Sequence, residues 1–193
     1  MGTGEILFIV GFVIVSYLWY EKKRKKIVKK AKQIRDYKVS QFVSLINKIL
    51  QSAPTTIFDP PTINNLVDIH NLVHNRFIYK DDFENYGVFD DWRSHAQEVI
   101  EGQTFEDDCD GFAFTVCELL IQEGFSPDQV LFLSCTVETG EGHAVAACII
   151  DGNIYVADSR KKSIYEFRHA AFSKYIFESY VKLSAPEELI YIG

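Results

Sequence analysis

The sequence predicts an α+β fold preceded by a membrane-spanning helix. Three features carry that reading: a charge-free apolar run opens the chain, helical periodicity fills its middle, and strand periodicity with a tight-turn signal follows. With 193 residues the chain supports one ordinary domain plus a short appendage, not two large domains. Its 47% hydrophobic content, 15 Phe and 10 Tyr exclude a disordered chain, which would be poor in such residues.

The opening run extends from Ile6 to Tyr20 and, with Met1 to Glu5, offers about 20 residues, the length a helix needs to cross a bilayer. Tyr17, Trp19 and Tyr20 form an interfacial aromatic cluster, and Lys22, Lys23, Arg24, Lys25 and Lys26 follow at once. A cleaved signal peptide carries its positive charge before the apolar run and a small-residue cleavage site after it; this segment has neither, so residues 1–21 are expected to stay attached as an anchor. The positive-inside rule puts the basic flank, and all that follows, on the cytoplasmic side of the inner (cell) membrane, with the N-terminus outside. Unpaired cysteines agree with that side.

Residues 22–53 read as a basic juxtamembrane and connecting helix whose later part carries Phe42, Val43, Ile46, Ile49 and Leu50 at three- and four-residue spacing, a face for a core. A proline-rich break (Ala53-Pro54, Asp59-Pro60-Pro61) leads into a domain expected over residues 54–193. That domain begins with a helix capped by Thr62 and bearing Ile63, Leu66, Val67, Ile69, Val73 and Phe77. His70 and His74 share one of its faces but lack a third ligand nearby, so they read as solvated polar positions. After a polar, aromatic-dotted stretch from Tyr79 to Trp92, Cys109 opens a helix whose Phe112, Ala113, Val116, Cys117, Leu119, Leu120 and Ile121 mark it as buried, with Gly124 as its C-terminal cap. Strands are predicted at Val130–Val137, His143–Ile150 and Ile154–Asp158, the last two joined by Asp151-Gly152, a strong hairpin signal.

Charge is distributed unevenly: ten of the 20 basic residues lie between Lys22 and Lys38, whereas residues 39–193 hold ten basic and 24 acidic ones. So acidic a body lacks the basic surface that displaces phosphate counterions, which excludes nucleic acid as a partner. Cys117, Cys135 and Cys148 sit in apolar runs and read as buried thiols, and no Cys/His cluster has zinc spacing. Cys109 differs. It stands in Glu106-Asp107-Asp108-Cys109-Asp110-Gly111 at a helix start, where free amides and the helix dipole favour a thiolate. Its acidic neighbours oppose that effect, so a histidinium or a bound cation must offset them.

A nucleophilic thiol needs a base, and the base needs an orienting group. His143 stands at the mouth of a strand after Glu141-Gly142. If Asp151 and Gly152 form a two-residue turn, position 143 opposes 160, and Asp158 lies on the same sheet face, diagonal to His143 at roughly 7–8 Å. A three-residue turn would reverse that parity. By pattern alone the same residues also read as a small helix-start residue, a strand-end histidine and a turn former.

The stretch from Leu66 to Tyr165 resembles the bacterial transglutaminase-like cysteine peptidases. The residues that carry the resemblance are Asn71 and Asn75, Tyr79 and Asp82, Tyr86-Gly87-Val88-Phe89-Asp90-Asp91-Trp92, Asp108-Cys109-Asp110, Gly142-His143-Ala144-Val145, and Tyr155-Val156-Ala157-Asp158, in that order. The resemblance implies a papain-like/transglutaminase-like core in which the nucleophile helix packs on an antiparallel sheet. It further implies a Cys109–His143–Asp158 triad that hydrolyses amides of protein substrates through a thioester, with Trp92 lining the cleft beside the oxyanion. The family includes a calcium-dependent member whose metal is held by acidic residues flanking the cysteine, which makes Asp108 and Asp110 calcium candidates; no other cofactor is implied. Asp107 replaces the usual glycine, Arg93-Ser94-His95-Ala96 lacks the usual proline, and Ser159 replaces a common asparagine, all of which leave substrate choice open. A deamidase or transamidase of the same fold, and a membrane-tethered peptide-binding module built on a degenerate peptidase fold, remain as alternatives.

Overall fold

A computed structural model describes residues 25, 29, 38–55, 60–88 and 91–192; the predicted anchor at residues 1–21 lies outside them. No helix among the described residues is long and apolar enough to cross a membrane. The chain divides into two compact units, Met1–Gln41 and Phe42–Gly193. In the first unit the described residues are helical. The second unit holds the core and the site.

Within that unit the predicted apolar stripe forms the helical residues 42–50 (α1), and it buries Ile46 and Ile49 completely. Helix α2 (Ile63–His74) starts at Thr62, whose N–H donates to Asn65 Oδ1 at 2.8 Å, and it buries Leu66, Ile69 and Val73. His70 is buried there too, against the expectation of a solvated position, because its face of α2 packs toward the helix that carries Cys109. Four short elements then follow that the sequence did not reveal. Strand β1 (Phe77–Tyr79) pairs in parallel with β2 (Phe105–Asp107), and α3 (Asp82–Tyr86) and α4 (Ala96–Ile100) lie between them in the chain.

Helix α5 (Cys109–Glu123) has buried residues on every face, as its composition predicted, and ends at Gly124 with φ 103°. It packs on a six-stranded antiparallel sheet of order β6-β5-β4-β3-β7-β8. The strands are β3 (Val130–Thr136), β4 (Gly142–Ile150), β5 (Asn153–Ala157), β6 (Tyr165–Glu166), β7 (Ile176–Lys182) and β8 (Ile190–Tyr191). Strand β4 is buried over nearly its whole length because both faces of the sheet are covered. Ala144, Ala146 and Cys148 join the cluster around α5, whereas Val145 and Ala147 join a second cluster with Leu131, Leu133, Phe172 and Tyr175. Alanines at 144 and 146 let the helix lie close to the strand. The β4–β5 turn has Asp151 at φ 51° and Gly152 at φ 80°, the doubly positive signature of a two-residue hairpin loop. Pairing from Ile150↔Asn153 to Ala146↔Ala157 keeps the parity on which the diagonal of His143 and Asp158 depends.

Candidate active site

The site forms where the start of α5 meets the first residues of β4 and the end of β5. Asp108 caps α5, its carboxylate accepting the Asp110 amide at 2.9 Å. Cys109 follows as the first helical residue and stays partly exposed, whereas the other three cysteines are buried, and all four are free thiols. The Ala144 amide, next to His143, donates to Cys109 Sγ at 3.4 Å. Burial pushes the thiol up to about 12, against the Ala144 amide, and the charges of Asp108 and Asp110 add to the rise.

His143, on β4, and Asp158, just past β5, form a hydrogen-bonded pair. His143 Nε2 lies 2.7 Å from Asp158 Oδ1, both groups being buried, which leaves Nδ1 outside that contact. Asp158 Oδ1 also accepts the Arg160 amide at 2.9 Å, and Oδ2 accepts the Tyr175 hydroxyl at 2.9 Å. Burial alone would raise the Asp158 carboxyl, but the hydrogen bond and charge of His143, then the Arg160 amide and Tyr175, outweigh it and hold the group below its ordinary range. The Tyr175 ring stands edge-on to His143, with centroids 6.1 Å apart. Tyr175 lies beyond the predicted strands, and nothing in the local sequence marked it.

Cys109 and His143 both line a cleft of about 730 Å³. Strand β1 contributes Phe77 and Tyr79 to its walls, and the β3–β4 connection contributes Val137 and Glu141. Trp92 is not among the lining residues; it packs edge-on against Phe42 at 5.4 Å and against the core around α5, because its large ring finds an apolar seat there.

Below the nucleophile, Asp82, Asp108 and Asp110 bring carboxylate oxygens within 4.8 Å of one another. Asp82 is 1% exposed, and one of its oxygens accepts the Asp91 amide. Its other oxygen, and Oδ1 of Asp110, are buried without a hydrogen-bond partner among the described residues. Burial first, and then mutual repulsion, raises all three carboxyls above the ordinary range. The flanking pair was expected from sequence; Asp82 was visible only as one residue of the ordered motif. On the opposite side of the turn, Asp107 accepts the Asp108 amide at 2.8 Å and meets His95 Nε2 at 2.7 Å. A Cβ at Gly111 would overlap the Asp107 carboxylate, so glycine is required for that buried acid to lie against the helix.

Residues 47–185 match the model of the bacterial transglutaminase-like cysteine proteinases. The chain belongs to that family. It is a cysteine peptidase with a mixed α/β fold. Among solved structures, Legionella pneumophila LapG is similar, with 18% identity and a TM-score of 0.52 over 79% of this chain and 87% of that one. Calcium-bound LapG matches at 18% identity and a TM-score of 0.53 over 80% and 86% of the two chains, and EGTA-treated LapG does the same. At such identity the likeness concerns the fold. No curated protein sequence matches the chain.

Proposed function

We propose that this peptidase is a membrane-anchored hydrolase that cleaves protein amide bonds with Cys109 as nucleophile, His143 as base and acid, and Asp158 as orienting group. The observation that carries the reading is the 2.7 Å contact of His143 Nε2 with Asp158 beside a thiol that takes the neighbouring Ala144 amide. His143 Nδ1 accepts the Cys109 proton as the sulfur attacks the substrate carbonyl carbon. The imidazolium that forms is stabilised by Asp158, which stays ionised. Free amides in the first turn of α5 serve the developing oxyanion. Collapse breaks the C–N bond, and the proton on His143 leaves with the amine. Water, deprotonated by the same nitrogen, then attacks the thioester, and the carboxylic acid departs as Cys109 recovers its proton. An amine in place of water would give transfer, and a side-chain amide in place of the backbone would give deamidation.

The three aspartates suit calcium, which favours several oxygen ligands including carboxylates, and two of their buried oxygens lack other partners. Asp108 and Asp110, with Asp82, would hold the ion. It would supply positive charge that lets these carboxylates remain ionised next to the nucleophile. The existence of a calcium-bound LapG structure supports this reading. For the rest of the chain we propose an anchor at 1–21, a basic connecting helix at 22–53 and the peptidase domain at 54–193. The anchor would hold the enzyme in the inner membrane with the domain in the cytoplasm.

Mass spectrometry after treatment with iodoacetamide tests the site. Selective modification of Cys109 that is lost in His143→Ala supports the pair, and a rate equal to that of a free thiol overturns it. A membrane-impermeant thiol reagent tests the topology: the domain should stay unlabelled in intact cells, and heavy labelling sinks the cytoplasmic placement.

A further inference from the structure

His70 is fully buried in the middle of α2, far in sequence from Cys109, His143 and Asp158. Its Nε2 lies 3.1 Å from the carbonyl oxygen of Lys161. That carbonyl belongs to the last residue of the short turn that begins at Asp158, in which the Lys161 amide donates to the Asp158 carbonyl at 3.0 Å and the Arg160 amide donates to the Asp158 carboxylate at 2.9 Å. A carbonyl only accepts, so the contact fixes the proton on Nε2. Nδ1 then bears a lone pair that is buried without a partner among the described residues. Burial, and then the neighbouring His74, lower the imidazole to about 4, so at neutral pH it is the uncharged donor that the contact requires. The ring is held edge-on to Phe112, three residues past the nucleophile, with centroids 6.0 Å apart.

An apolar side chain of similar size would fill this space without an orphaned nitrogen, but it would release the Lys161 carbonyl. We infer that His70 is a positioning residue for the triad: it clamps the turn from Asp158 to Lys161 to α2 and so fixes the carboxylate against His143. The inference rests on the assignment of Asp158 as the orienting acid. Placement matters there because misplacing a catalytic group by about 1 Å costs on the order of a hundredfold in rate.

The test compares variants of the full chain in detergent by the rate at which iodoacetamide modifies Cys109 at pH 7, with a thermal melt for each. His70→Asn puts its amide at the position of Nδ1 and loses the reach to Lys161, whereas His70→Gln puts an N–H donor near the position of Nε2. We expect His70→Asn to react about tenfold to a hundredfold more slowly than wild type, and His70→Gln to recover most of that loss. His70→Asn combined with Asp158→Asn should react no more slowly than Asp158→Asn alone, since His70 acts through that group. A wild-type rate in His70→Asn while Asp158→Asn is slow overturns the role of His70 and leaves the triad standing. Additive losses in the double variant, or equal losses in Asn and Gln, reduce His70 to a packing residue and overturn it as well. A wild-type rate in Asp158→Asn removes the triad reading itself.

Discussion

Asp158 and the cluster of Asp82, Asp108 and Asp110 are pushed in opposite directions. Asp158 is fully buried yet held below the ordinary carboxylate range by His143, the Arg160 amide and Tyr175. Asp82 is as deeply placed and is raised, together with Asp108 and Asp110, by burial first and then by the charges these groups turn on one another. Burial pushes all four carboxyls upward, and only at Asp158 do the surrounding donors outweigh it. The donors that meet each carboxylate decide the sign, and on the proposed reading they separate an orienting acid from a seat for a cation.

The largest effect should come from breaking the satisfied side. Asp158→Asn keeps the shape but swaps the acceptor that fixes the His143 ring, and turnover should fall roughly ten-thousandfold with folding retained, measured as kcat/KM on a peptide substrate. The same variant carries a pH signature. A lowered carboxyl contributes stability that is full above its unfolded value near 4 and is lost as pH falls through its still lower folded value. The melting temperature of wild type should therefore drop on acidification in a range where Asp158→Asn is flatter, and equal slopes would refute the assignment.

Next in size is the effect of calcium on the unsatisfied side. At a hundredfold excess over its dissociation constant the ion should add about 2.7 kcal/mol of stability, read as a rise in melting temperature that EGTA reverses. The gain should be larger at pH 8 than at pH 5, because protons compete for the raised carboxyls; no rise at either pH removes the metal reading. Tyr175→Phe should then cost about tenfold in kcat with KM unchanged, as expected for one lost hydrogen bond to a charged group. The smallest effect has the opposite sign. Without calcium, Asp110→Asn relieves repulsion and should raise the melting temperature by an amount equivalent to less than about 1 kcal/mol, while abolishing the response to the ion.

Much of the site could be read from the sequence because local rules fix it. The hydrophobic run after Cys109 required a buried helix with the cysteine at its start. The Asp151-Gly152 turn set the parity that puts His143 and Asp158 on one face, and both features hold. Elements of three to five residues, such as β1, β2, α3 and α4, are too short to show a period, and β7 breaks its alternation opposite the irregularity between Ser134 and Cys135. Single side chains were misread where only tertiary packing decides. His70 looked like half of a solvated pair. Tyr175 reaches Asp158 from a turn with no sequence signal at all.

The alanines on the α5 side of β4 have a kinetic meaning as well as a steric one. The Ala144 amide touches the sulfur only because helix and strand run so close, and that closeness is set by methyl groups at 144 and 146. Thickness between two layers of the core thus becomes a control on chemical reactivity. A larger side chain at 146, which touches no reacting atom, would press on the helix and part the sulfur from its amide donor.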